Sequence, residues 1–185
     1  MKIDPNKTWR LVEERLSTET DPAVRHNLEL VRDHMRAEAV ADIEGVVATL
    51  CDTPEYVMHN NPDDTRTNPK GSKDAVRGFY DATIVQTGAH RLEFDCERVI
   101  ADAHSVFTEG VMRMAYPGRT LAAMGIEVDD PDGYYVAESR MGIVWPRDPA
   151  SGFLTGEEVY SSNDAFDGIA GRKISLADVA EIVVA

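Results

Sequence analysis

The chain has 185 residues, 43% of them hydrophobic, with 19 Lys and Arg against 33 Asp and Glu and a formal net charge of −14. That length and apolar fraction suit one domain with its own core, and the acidic balance, with no basic run longer than two residues, excludes nucleic acid and anionic membrane surfaces, which need clustered cations. Cys51 and Cys96 have no metal or CxxC spacing, the first ten residues lack the apolar core of a signal peptide, and no apolar run approaches the roughly 20 residues that span a bilayer. The expectation is a cytoplasmic chain with reduced thiols.

Helical periodicity comes first. Trp9, Val12 and Leu16 share a face in "TWRLVEERLS". Asp21 then stands as N-cap before Pro22 at the first helical position, and Val24, Leu28, Val31, Met35 and Ala39 recur at three or four residues as one apolar stripe. Asp42 caps a further short helix to Leu50, "YVMHN" reads as a strand, and a Pro- and Asn-rich loop follows. Ser72 caps the helix "KDAVRGFYDATIV", with Val76, Phe79, Tyr80 and either Thr83 or Ile84 inward.

From His90 the period becomes two. "HRLEFDCERVI", "SVFTEGVMRMAY", "YYVAESRMGIVW" and "FLTGEEVYSSND" read as an antiparallel meander, interrupted at 116–133 by a Pro/Gly/Asp-rich insertion expected to be a mobile lid. The tail "SLADVAEIVVA" allows a helix or a last strand. Helices beside a run of antiparallel strands give an α+β fold: a curved, mostly antiparallel sheet forming a cone, with the N-terminal helices across its concave side. One domain over 1–185 is expected, with its core at 25–164, a helical extension at 1–20 and a tail at 165–185. Such a cone leaves a concave space suited to a ligand.

"VADIEGVVATLCDTPEYVMHN" followed by "GSKDAVRGFY" resembles the nuclear-transport-factor-2-like superfamily, in its SnoaL-like and ketosteroid-isomerase-like branch. Asp42-Ile43, Leu50, His59 and Gly71 to Tyr80 carry the resemblance, and "SGFLTGEEVYSSND" is similar to that superfamily's last strand. The resemblance spans roughly residues 25–164. It implies the cone fold and a small-molecule site, but little about chemistry, because the fold hosts isomerases, dehydratases, cyclases, hydrolases and non-enzymes.

By this resemblance His59 occupies the place of a catalytic base at the end of the first strand, pointing into the cavity; the alternative is a strand-end histidine held by the following loop. His34 stands where ketosteroid isomerases carry an oxyanion-holding tyrosine, with Glu38 one turn on, close enough to orient it; the alternative is a solvent-facing His–Glu pair. Glu157, inward with Val159, is either an acid or base in an apolar cavity or a rim charge. The isomerases' protonated Asp falls near Arg140 or Met141, so steroid isomerisation itself is not implied. Trp145, Tyr80, Phe79, Met141 and Met112 are the candidate ligand-binding residues. Histidine spacings, His90 and His104 included, offer no metal site, and no cofactor motif occurs.

The reading favours an enzyme of SnoaL-like type performing cofactor-independent proton transfer, as isomerase, lyase or polyketide-cyclase-like activity, on an apolar carbonyl or hydroxyl compound. The alternative is a non-catalytic ligand-binding or dimeric scaffold protein. A homodimer is expected through the outer sheet face, because Phe107, Val111 and Ala115 leave that side of the second long strand apolar.

Overall fold

The computed structural model describes residues 2–89 and 91–183; His90, read above as a strand start, and the last two residues of the tail lie outside the described residues. Three helices open the fold, the second and third of them behind side-chain caps. Helix α1, Lys7–Thr18, buries Trp9, Val12 and Leu16. Helix α2, Pro22–Ala39, starts at Asp21, whose carboxylate accepts the Ala23 and Val24 N–H groups, two of the donors a helix start leaves unpaired. Helix α3, Ile43–Ala48, is capped by Asp42 on the Gly45 N–H. Helix α4, Lys73–Tyr80, is capped by Ser72 on the Ala75 N–H and runs on as a π-helical turn, Asp81–Val85. Its wider winding turns both Thr83 and Ile84 toward the interior cavity, where a regular helix was expected to favour one of them.

The sheet has the order β1-β5-β4-β3-β2, built from β1 (Val57–Met58), β2 (Leu92–Ala101), β3 (Ser105–Pro117), β4 (Tyr134–Pro146) and β5 (Glu158–Ser161). Pairing is antiparallel throughout the long strands, whereas β1 runs parallel to β5. The strand expected over "YVMHN" is only two residues long. Past it the His59 N–H still bonds the Val159 carbonyl, while Asn68 Oδ1 accepts the Met58 N–H at 2.5 Å on the outer edge and the Asn61 N–H turns back onto the Met58 carbonyl. Thr8 Oγ1 of α1 accepts the Phe94 N–H at 3.1 Å, so the N-terminal helix covers the otherwise open edge of β2.

The tail forms a short strand β6, Lys173–Ile174, against β4, followed by a 3-10 turn, Leu176–Asp178, in place of a regular helix. Ile3, Ala115, Val136 and Ile174 make a buried cluster on the outer side of the sheet. Part of the apolar outer face that was expected to need a partner is therefore covered by the chain's own ends. The 116–133 segment carries helix α5, Gly118–Ala123, with Leu121 fully buried, so it is packed against the body rather than projecting from it. Among the described residues no helix is long and apolar enough to cross a membrane.

The main core lies between α1, α2, α3 and the inner sheet face, with Leu28, Val31, Met35, Val46, Leu50 and Trp145 at its centre. The fold class and helices α1 to α4 thus match the sequence-based expectation of α+β, whereas α5 falls in the insertion where no helix is expected.

Candidate functional site

Between the helices and the inner sheet face is a cavity of about 350 Å³, within the range of small-molecule sites. Its wall is mostly apolar: Met35, Phe79, Phe94, Met112, Met141 and Trp145 are among its lining residues, with Tyr80, Glu38 and Glu157 supplying polar groups. All five residues named as ligand-binding candidates, Trp145, Tyr80, Phe79, Met141 and Met112, face this space. The Trp145 indole is fixed from behind, where its Nε1–H donates to Thr108 Oγ1 at 2.9 Å.

Two of the three catalytic candidates meet at the cavity floor. His34 is fully buried, not part of a solvent-facing pair, and its Nε2 lies 3.2 Å from Glu157 Oε1. Tyr80 donates its hydroxyl to the same Glu157 oxygen at 3.0 Å, and the Tyr56 hydroxyl sits 3.4 Å from both His34 Nε2 and the Tyr80 oxygen. Glu157 is 7% exposed. Four side chains from α2, the β1 lead-in, α4 and the β5 lead-in therefore form one buried polar cluster.

Proton placement follows from donors and acceptors. Thr49 Oγ1 spends its proton on the Val46 carbonyl at 2.7 Å, so at 2.8 Å from His34 Nδ1 it accepts, and Nδ1 carries hydrogen. The Tyr80 proton is already committed to Glu157. The Nε2–Oε1 contact then requires one further proton, as imidazolium with carboxylate or as imidazole with carboxylic acid. In both forms the pair is neutral overall, which is the arrangement a low-dielectric site tolerates.

Burial, reinforced by the charge of Glu157, pushes both phenols well above their ordinary range, so Tyr56 and Tyr80 remain hydrogen-bond donors. Glu38 stands apart from the cluster. It lines the cavity, its carboxyl has no hydrogen-bond partner among the described residues, and burial followed by repulsion from Glu157 raises its pKa to about 8. The expected role of Glu38 in orienting His34 is corrected: Thr49 and Glu157 hold the ring.

His59 requires the larger correction. It does not point into the cavity. Its side chain is 36% exposed, with Nε2 3.6 Å from Glu158 Oε2, and its ring stacks on Tyr160 at 4.0 Å with 10° between planes. The register of β1 instead turns Tyr56 and Met58 inward, because that choice buries an aromatic ring and a thioether while leaving an imidazole in water. Of the outward pair, Val57 is half-buried and His59 exposed.

Tyr56 and Thr49 were missed as site residues, and Glu38 was named only as a partner of His34. For Glu38 a signal was present: it lies four residues after His34 and three after Met35, hence beside the apolar stripe of α2. Tyr56 was visible as the hydrophobic alternative to His59. Among the described residues no three His, Cys, Asp or Glu side chains converge as metal ligands.

No family model matches the chain, and no curated protein matches it. Solved structures do. A SnoaL-like polyketide cyclase structure from Shewanella putrefaciens superimposes with TM-score 0.65 at 10% identity, covering 87% of this chain and 93% of its own. A Mycobacterium tuberculosis protein in complex with estradiol-17beta-hemisuccinate gives TM-score 0.53 at 20% identity, covering 73% of this chain and 92% of that one. A computationally designed 17-OHP binder gives 0.54 at 22% identity, covering the same shares. The chain has the nuclear-transport-factor-2-like fold in the form seen in SnoaL-like structures, as its sequence resemblance implied.

Proposed function

We propose that this chain binds an apolar small molecule in the cavity and that Glu157, held by His34 and Tyr80, moves a proton on it, in an isomerisation, dehydration or cyclisation that needs no cofactor. The observation that carries this reading is the convergence of His34, Glu157, Tyr80 and Tyr56 within 3.0–3.4 Å at the floor of an otherwise apolar space. Glu157 lines that space while His34 does not. Glu157 is therefore the candidate catalytic residue and His34 a positioning residue acting through it. As imidazolium with carboxylate, the pair takes a proton from the ligand onto Glu157 and becomes cationic beside the anion so formed, so that pair and ligand together stay neutral.

A second reading, ligand binding without chemistry, is favoured by one feature: every nitrogen of His34 is already satisfied by protein groups. Solvent-deuterium incorporation into the methyl group of 2-acetylnaphthalene, an apolar enolisable ketone, separates the two. The catalytic reading expects incorporation above the buffer rate and a loss of about 10²-fold or more in Glu157→Gln. Binding of the ketone with incorporation at the buffer rate would leave the binding-only reading.

We also infer a homodimer through the uncovered part of the outer sheet face. There the Phe107 ring lies over Gly142, Tyr160 is 47% exposed, and Arg140 pairs with Glu97 and Glu109 around them.

A further inference from the structure

Several buried polar side chains around the cavity have their partners in the protein. Trp145 donates to Thr108, Tyr80 to Glu157, and Thr49 to the Val46 carbonyl. Two lining groups have no partner among the described residues: the Tyr116 hydroxyl on β3 and Glu38, a half-buried carboxyl on the last turn of α2 and the stronger donor when protonated. A polar group kept in such a place costs stability unless something pairs with it, and the space it faces is the one argued to hold the ligand.

We infer that Glu38 reads the ligand, donating its carboxyl proton to an acceptor oxygen on a neutral apolar molecule, so that the cavity selects carbonyl or hydroxyl compounds over amines and plain hydrocarbons. The inference rests on the binding reading above. Its chemistry follows from the neighbours. The titratable groups sharing the cavity or its floor are Glu157 before β5, Tyr80 on α4, Tyr56 before β1, Tyr116 on β3 and His34 on the same helix. Among the described residues no Lys or Arg lines the cavity, and His34 shares its proton with Glu157 as a pair of no net charge. Burial and Glu157 both favour the protonated acid, which ionises only near pH 8. A protonated carboxyl gives the hydrogen bond that a carboxylate cannot.

Three probes of one shape test this: 2-acetylnaphthalene, with an acceptor oxygen; 2-isopropylnaphthalene, with none; and 1-(2-naphthyl)ethylamine, a cation at neutral pH. Affinities are measured by fluorescence titration from about pH 6 to pH 9. The ketone is expected to bind the wild type about tenfold more tightly than the hydrocarbon at the acid end, with the preference fading as pH rises through about 8. Glu38→Gln, whose amide still donates, keeps a preference that no longer changes with pH, and Glu38→Leu binds ketone and hydrocarbon alike at every pH. A wild-type preference that is flat with pH, a preference surviving in Glu38→Leu, or tightest binding of the amine overturns the inference while leaving cavity binding intact. If none of the three probes binds, the reading of the cavity itself fails and the inference with it.

Discussion

His34 Nε2 and Glu157 Oε1 lie 3.2 Å apart, joining the middle of α2 to the residue just before β5, with His34 fully buried and Glu157 nearly so. Removing one member leaves the other in a low-dielectric site with fewer partners, and such losses are expensive. His34→Ala should therefore destabilise the fold by about 2–4 kcal/mol. His59→Ala, which removes an exposed ring stacked on Tyr160, should stay within about 0.5 kcal/mol. Urea denaturation of the two variants beside the wild type gives the comparison, and similar losses for both would mean the buried cluster contributes little.

Stability should fall as pH rises from the acid side of neutrality. Glu38 has an ordinary carboxyl pKa when the chain is unfolded and about 8 when it is folded. Below about 4.5 both states hold the proton, between about 4.5 and 8 only the folded state does, and above 8 neither does. The folded state thus binds more protons through that window, so its stability declines across it. Glu38→Gln removes this term, and its advantage over the wild type should grow with pH and level off above about 8, reaching the order of a few kcal/mol. A constant difference between the two proteins from pH 5 to 9 would contradict this.

Helix placement was legible because it depends on local rules: Asp21, Asp42 and Ser72 all cap the helices they precede. The cavity floor was only half legible. Alternation around Val57 left two registers open, and the physical preference for burying Tyr56 and Met58 decided against the one that the family resemblance suggested for His59. His34 and Glu157 were both named, yet their meeting depends on α2 crossing the β5 lead-in, a long-range packing that neither segment's pattern encodes. The parallel pairing of two-residue β1 with β5 was hidden for the same reason, and it is what brings the Tyr56 backbone beside that of Glu157.

Gly156 sets the position of Glu157. It has φ +138°, and a Cβ there would overlap the Glu55 carbonyl, where the Val57 N–H bonds the Glu157 carbonyl at 2.8 Å. Gly156→Ala should cost about 2–4 kcal/mol, beyond an ordinary surface substitution, because the backbones must separate. Thermal unfolding checks this, and a loss under about 1 kcal/mol would mean the strand lead-in tolerates the shift.

Light scattering should give the mass of a dimer at micromolar concentration, and Phe107→Glu, placing a charge on the uncovered outer face, should reduce it to a monomer. A wild-type monomer mass would end the proposal of a partner copy on that face.

Whether ligand sits on the His34–Glu157 floor or beside His59 is read by 15N NMR of the histidine rings during titration with 2-acetylnaphthalene. The His34 ring resonances should shift as the cavity fills, since Glu157 and Tyr80 touch both the ligand space and Nε2, while those of His59 stay fixed. Movement of the His59 resonances with His34 unchanged would contradict placement on that floor.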